Sequence, residues 1–124
     1  MREIRRYATT SRRSSAVVYN GMAFIGGQTA EDRTLDIRGQ TRQVLAKIDT
    51  LLAEAGTSKS RLLSAQIWLK DITNDFAGMN EIWDAWTAPG NAPTRATVQC
   101  ALGLPEILIE IIVTAAVDDA EVTQ

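Results

Sequence analysis

The segment spanning residues 108–117 carries an apolar side chain at every position except Glu110 and Thr114. At ten residues it is too short to cross a bilayer as a helix. Its β-branched content reads instead as a strand with apolar residues on both faces. A sheet containing such a strand needs cover on two sides. The rest of the chain supplies helices for only one, so a symmetric second copy is expected to cover the other, taken as the face bearing Val113.

The remaining elements follow from local patterning. Two apolar runs, Ala16–Tyr19 and residues 22–25, flank Asn20-Gly21. Asn-Gly in that setting signals a two-residue hairpin turn, because both turn positions need positive φ. Gly26-Gly27 is expected to end the hairpin and to allow close backbone approach. A weaker strand is expected at residues 4–7. Over residues 36–55 the period changes: Ile37, Val44, Leu45, Ile48, Leu51, Leu52 and Ala55 fall on one helical stripe. Asp36 is positioned as its N-cap and Gly56 as its left-handed C-terminal residue. Residues 64–70 alternate as a strand, with Ala65, Ile67 and Leu69 on one face. A second helix is expected from an Asp75 cap to about Thr87, with Phe76, Met79, Ile82, Trp83 and Trp86 inward. Strands at 94–101 and 108–117 complete the order β-β-α-β-α-β-β, an α+β fold with one mixed sheet and both helices on one face. The 124 residues form a single domain.

Composition closes most catalytic routes. There is no histidine and only one cysteine, Cys100, so neither an internal disulfide nor a His/Cys metal cluster is available. No cofactor is expected. Cys100 falls on the apolar face of its strand and reads as a small core residue. The N-terminus lacks the apolar core of a secretory signal, and a cytoplasmic location without membrane association is expected. Arg2, Arg5, Arg6, Arg12 and Arg13 make the start basic, whereas Asp118, Asp119 and Glu121 make the end acidic; net charge is −2. A basic arm is compatible with nucleic acid, but no aromatic-basic platform accompanies it, so a solvated or interface strand is the expected role.

What remains is a pair of charges carried on hydrophobic strands, Arg95 and Glu110. Burying either alone is costly, so each needs a partner or a ligand. Alternation puts Arg95, Thr97 and Gln99 on one face of their strand. Arg95 reads either as a structural ion-pair member or as a bidentate clamp for a carboxylate. Glu110 reads either as the internal counter-ion of Arg95 or as a group that positions water.

Four segments in order and spacing resemble the RidA (YjgF) family, historically called L-PSP endoribonucleases. They are Asn20-Gly21 through Gly26-Gly27-Gln28; Asp75-Phe76-Ala77-Gly78-Met79-Asn80; Pro93-Thr94-Arg95-Ala96-Thr97-Val98; and Pro105-Glu106-Ile107-Leu108-Ile109-Glu110. The likeness spans about residues 16–117, and the stretch from Trp83 to Pro93 is closer to the divergent Rid subfamilies. The resemblance implies a chorismate-mutase-like fold and a homotrimer with ligand clefts at its subunit interfaces. It implies hydrolysis of 2-imino and enamino acids to 2-oxo acids and ammonia. It assigns Arg95 to the substrate carboxylate and Glu110 to the attacking water, the turn after Leu104-Pro105 being one residue shorter than in archetypal members. Asn80 and the backbones of Gly27 and Thr97 match pocket positions. Three positions depart from the archetype: a basic residue near Arg13 in place of an aromatic one, Thr97 in place of a cysteine, and Gly26 in place of a serine. The alternatives are a small-carboxylate binding or regulatory protein and, less compatible with an acidic histidine-free chain, a ribonuclease.

Overall fold

In the computed structural model, which describes residues 2–118, six strands form one mixed sheet in the order β1-β2-β3-β6-β4-β5. The strands are β1 (Arg5–Tyr7), β2 (Ala16–Tyr19), β3 (Met22–Gln28), β4 (Leu62–Leu69), β5 (Thr94–Gln99) and β6 (Ile109–Ala116). Helix α1 (Ile37–Glu54) connects β3 to β4, and α2 (Ile72–Trp86) connects β4 to β5. Only β4 and β5 pair in parallel; each other neighbouring pair is antiparallel. Asp119 and Glu121 of the acidic end lie outside the described residues.

The hairpin turn has φ of 52° at Asn20 and 77° at Gly21, the positive pair that its sequence calls for. Asp36 caps α1 by accepting from the Gly39 amide at 2.9 Å, and Gly56 leaves the helix at φ 88°. The second cap differs from expectation. The helix starts at Ile72, and Asp71 rather than Asp75 caps it, accepting from the Asn74 amide at 3.2 Å and the Asn74 side chain at 2.7 Å. Asp75 sits in the first turn, where burial, and then the charges of Asp71 and Asp36, push its carboxyl above the ordinary range. The residues 72–74 resemble a loop in sequence because Thr and Asn are weak helix formers, but Asp71 places them in the first turn.

Both helices lie on one face. Beneath them the register aligns Ala16 and Val18 with Ile25 and Ala23, then Val113 and Ala115, then Ala65, with Ile67 and Leu69 beside Ile111 and Ile109. All are buried, and α1 adds Val44, Leu45, Ile48 and Leu52, while α2 adds Met79, Trp83 and Trp86. The helices approach closely at Gly78, where a Cβ would lie 2.8 Å from the Ile37 side chain.

The other face carries Val17, Phe24, Ile112, Thr114, Trp68 and Val98. Phe24 and Val98 are 44% and 47% exposed in the single subunit. The face expected to be covered by another copy is therefore this one, and not the face bearing Val113, which the subunit's own helices bury. The reason is register: β6 presents odd-numbered residues to the helices and even-numbered ones to the open side.

Two polar residues of α1, Gln40 and Thr41, are completely enclosed among the described residues. Gln40 of α1 donates through Nε2 to the carbonyls of Arg33, Leu35 and Glu106 at 3.3, 3.0 and 3.1 Å, and its Oε1 accepts from the Leu108 amide at 3.0 Å. This side chain ties α1 to the peptide that leads into β6, so its burial is compensated.

Candidate functional site

β6 delivers Glu110 to the open face beside Trp68 of β4. Toward β3 the ladder is irregular, with Gly26 and Gly27 bulged between Ile25 and Gln28. The strand thus continues past the two glycines rather than ending there. Gln28 holds the bulge by donating to the Gly26 carbonyl at 2.9 Å. The Glu110 carboxylate occupies the space this creates. A Cβ at Gly27 would stand 2.0 Å from its Oε2, so only glycine leaves room. Burial pushes the Glu110 carboxyl above its ordinary range, and the nearby Arg13 guanidinium draws it partly back. Arg13 is placed by a tight loop in which the Thr10 hydroxyl accepts from the Arg12 and Arg13 amides at 3.1 and 3.2 Å; its Nη1 donates to Ser15 Oγ at 3.2 Å.

Arg95 lies elsewhere. It is on the edge strand β5, on the helix side, and its Nη1 donates to Asn80 Oδ1 of α2 at 2.8 Å. The guanidinium carbon stands 5.9 Å from the Phe76 ring centroid and 5.7 Å from that of Trp83. Two aromatic faces and one amide thus hold the planar group, with its remaining donors toward solvent. Thr97, two residues on, has its hydroxyl buried without a hydrogen-bond partner among the described residues. Gln99 accepts from the Ile72 amide at 2.9 Å and so fixes β5 to the start of α2.

The structure therefore divides the expected residues into two groups: Glu110 with Gly27 and Arg13, and Arg95 with Asn80 and Thr97. In register, Arg95 aligns with Ala65 and Val113, whereas Glu110 aligns with Trp68 and Val98. Three residues along the strands and two strands across separate the Cα positions by about 14 Å, and the side chains leave opposite faces. An internal Arg95–Glu110 ion pair is excluded by this arrangement. Cys100 also departs from expectation. It follows β5 as a half-buried loop residue lining a cavity, rather than joining the core, because β5 is an edge strand with little cover. Gln40 and Phe76 are the functional supports that sequence reasoning missed; the signal for Phe76 was its position four residues before Asn80 on one helix face.

The fold and these motifs have close counterparts. The family model for endoribonuclease L-PSP matches residues 3–117. The chain belongs to that family, also called RidA or YjgF. Among family members, it is 43% identical over 115 residues to a RutC family protein from Haemophilus ducreyi, covering 93% of this chain and 97% of that one. It is 43% identical over 107 residues to the RutC family protein YoaB of Escherichia coli, covering 86% and 92%. The crystal structure of NMB1025, a YjgF family member from Neisseria meningitidis, superposes with a TM-score of 0.91 at 45% identity, covering 95% of this chain and 98% of that one. Within this family member no helix of the described residues is long and apolar enough to cross a membrane.

Proposed function

We propose that this protein is an imine/enamine deaminase that converts 2-imino acids to 2-oxo acids and ammonia. The observation that carries the reading is the pairing of two incomplete half-sites. One is an aromatic-backed arginine with donors to spare; the other is a partly desolvated carboxylate over a glycine. Arg95 holds the substrate carboxylate and orients the C=N carbon. Glu110 accepts a proton from water as its oxygen bonds to that carbon, giving a carbinolamine. That proton is passed to the nitrogen to complete the carbinolamine; the carboxylate then takes the hydroxyl proton and delivers it to the nitrogen as the C–N bond breaks, so ammonia leaves while the carbonyl forms and Glu110 is returned ionised. One water is consumed, and no oxidant or cofactor is required.

Because the half-sites lie on opposite faces, one subunit cannot close both around a small molecule. In this reading a homotrimer brings Arg95 and Asn80 of one copy over Glu110, Gly27 and Arg13 of the next, and the exposed Phe24–Val98 face is covered in the same assembly. A second reading keeps the Arg95–Asn80 anchor but omits turnover, making the protein a small-carboxylate binder. The ribonuclease named in the family's description finds little support in a chain with no histidine and a net charge of −2.

Hybrid trimers test the proposal. Arg95→Ala and Glu110→Gln subunits are each expected to be inactive on freshly generated 2-iminobutyrate. Mixed in equal parts and reassembled, they should recover about a quarter of wild-type sites, since each hybrid ring restores one site in three and three quarters of rings are hybrid. No recovery would refute the shared site. A wild-type protein that binds 2-oxobutyrate without accelerating hydrolysis would establish the binder instead.

A further inference from the structure

The loop between β1 and β2 and the helix α1 bound a hollow of about 340 Å³ on the helix side of the sheet, lined by Arg13, Ser15, Gln28, Lys47, Thr50 and Leu51. It is formed within one subunit and takes no residue from the open sheet face. Two cations, two hydroxyls and an amide line it, and no carboxylate does. Neither cation is fully engaged. Lys47 Nζ donates to the Thr29 carbonyl at 2.8 Å and meets Glu31 Oε1 at 3.2 Å, but the Glu31 side chain is 84% exposed and stands outside the lining. A surface ion pair of this kind is worth little and yields readily to a competing carboxylate. Arg13 Nη1 donates to Ser15 Oγ at 3.2 Å, and Arg13 makes no salt bridge among the described residues.

The hollow backs onto the bulge that seats Glu110. The Gly26 amide donates to the Ser15 carbonyl at 2.9 Å, Gln28 donates to the Gly26 carbonyl at 2.9 Å, and Gly27 between them clears the space that the Glu110 carboxylate fills. Arg13 belongs to both places: it lines the hollow, and its charge acts on the Glu110 carboxyl. Gln28 follows Gly27 directly, about 3.8 Å along the chain, so a short methylene spacer is enough to join a carbon at Glu110 to an anion at the hollow.

We infer that Arg13 and Lys47, with the Ser15 and Thr50 hydroxyls, form a second carboxylate subsite that makes this protein selective for 2-imino dicarboxylic acids of the glutamate type. The inference rests on the deaminase reading above and specifies its substrate class. Arg95 of one copy takes the acid group beside the C=N carbon. Arg13 of the next takes the distal acid group, and Lys47 joins it by releasing Glu31. A charge-assisted contact is worth about tenfold to a hundredfold, and the lower figure applies where water reaches the site. The glutamate-derived imine should therefore exceed its neutral five-carbon counterpart, derived from norvaline, by about tenfold in kcat/KM.

The test is a matched set of substrates. Imines are generated in place by amino-acid oxidases from glutamate, norvaline and 2-aminobutyrate, and their decay is followed with and without the full-length protein, the spontaneous rate being subtracted. The ratio of glutamate-derived to norvaline-derived turnover should fall as salt is raised. Lys47→Gln, which keeps a donor for the Thr29 carbonyl, should lower that ratio severalfold, chiefly through KM. Glu31→Gln should raise it, because the carboxylate that competes for Lys47 is gone. A purely structural Lys47 predicts instead that both imines lose turnover equally. That result would overturn the subsite, as would a wild-type ratio at or below one. Acceleration of the neutral imines with no preference for the glutamate-derived one refutes this inference alone. Acceleration of none overturns the deaminase reading together with it.

Discussion

Gly27→Ala is the most direct probe of how the Glu110 carboxylate, to which the proposal gives the attacking water, is held. The added Cβ would lie 2.0 Å from Glu110 Oε2, against 3.4 Å for ordinary contact, so the carboxylate must retreat by about 1.4 Å. Gly27 is not among the positive-φ residues, and the obstructing atom is the end of a flexible side chain, so backbone strain contributes little. A hydrogen bond to water cannot survive a displacement of that size without moving the water too. Misplacement by about 1 Å can cost roughly 10²-fold in rate. Turnover of 2-iminobutyrate by Gly27→Ala should therefore fall about thirtyfold to a hundredfold, in kcat more than KM, because the Arg95 anchor is untouched. Melting temperature and assembly size should stay near wild type. Steady-state kinetics beside thermal melts and light scattering check this. A folded Gly27→Ala protein with wild-type kcat would refute the role given to the Glu110 position.

Arg95→Lys should fail nearly as badly as Arg95→Ala, since an ammonium keeps the charge but cannot sit between Phe76 and Trp83 while bonding Asn80; loss of a charge-assisted contact worth about 1.5–3 kcal/mol predicts a tenfold to more than hundredfold fall in kcat/KM. The acidic limb of the kcat/KM profile should lie above the ordinary glutamate range because burial raises Glu110, and Arg13→Gln should move it to still higher pH, a pH titration of rate being the measurement. A carboxyl raised in the folded state holds its proton more tightly there than in the unfolded chain. Ionising it thus weakens the fold as pH rises from the ordinary value through the folded one, and Glu110→Gln should melt no lower than wild type at neutral pH. Asp71→Ala should lower stability by about 1 kcal/mol and Asp75→Ala by less than about 0.5 kcal/mol, as read by denaturant melts, because only Asp71 caps α2.

The periodic elements were legible because their signals are local. Asn20-Gly21 needs only its own φ preferences, and Asp36 and Gly56 bracket a stripe that repeats within α1. Arg95 and Glu110 stood out because charges on apolar strands demand partners. Their relation did not, since alternation within β5 or β6 says which residues share a face but not which face meets the helices. That depends on register through β4, a non-local pairing. The same gap placed Val113 on the wrong side. Cys100 was misread because its strand proved to be an edge, and edge position is decided by sheet order. Gln40 gave no warning at all: a glutamine within a helical pattern looks like a surface residue until the carbonyls around it are known.

Gln40 also divides the segment between β5 and β6 into two regimes. Its hydrogen bonds seize the chain at Glu106 and Leu108, immediately before Glu110, and leave residues 100–104 outside the clamp. Of those outer residues, Cys100, Ala101, Leu102 and Gly103 line a hollow on the open face. Changes in their size, polarity or number are absorbed before the chain reaches the anchored peptide, and the Glu110 carboxylate keeps its station over Gly27. Substitutions in that loop can therefore accumulate without moving Glu110.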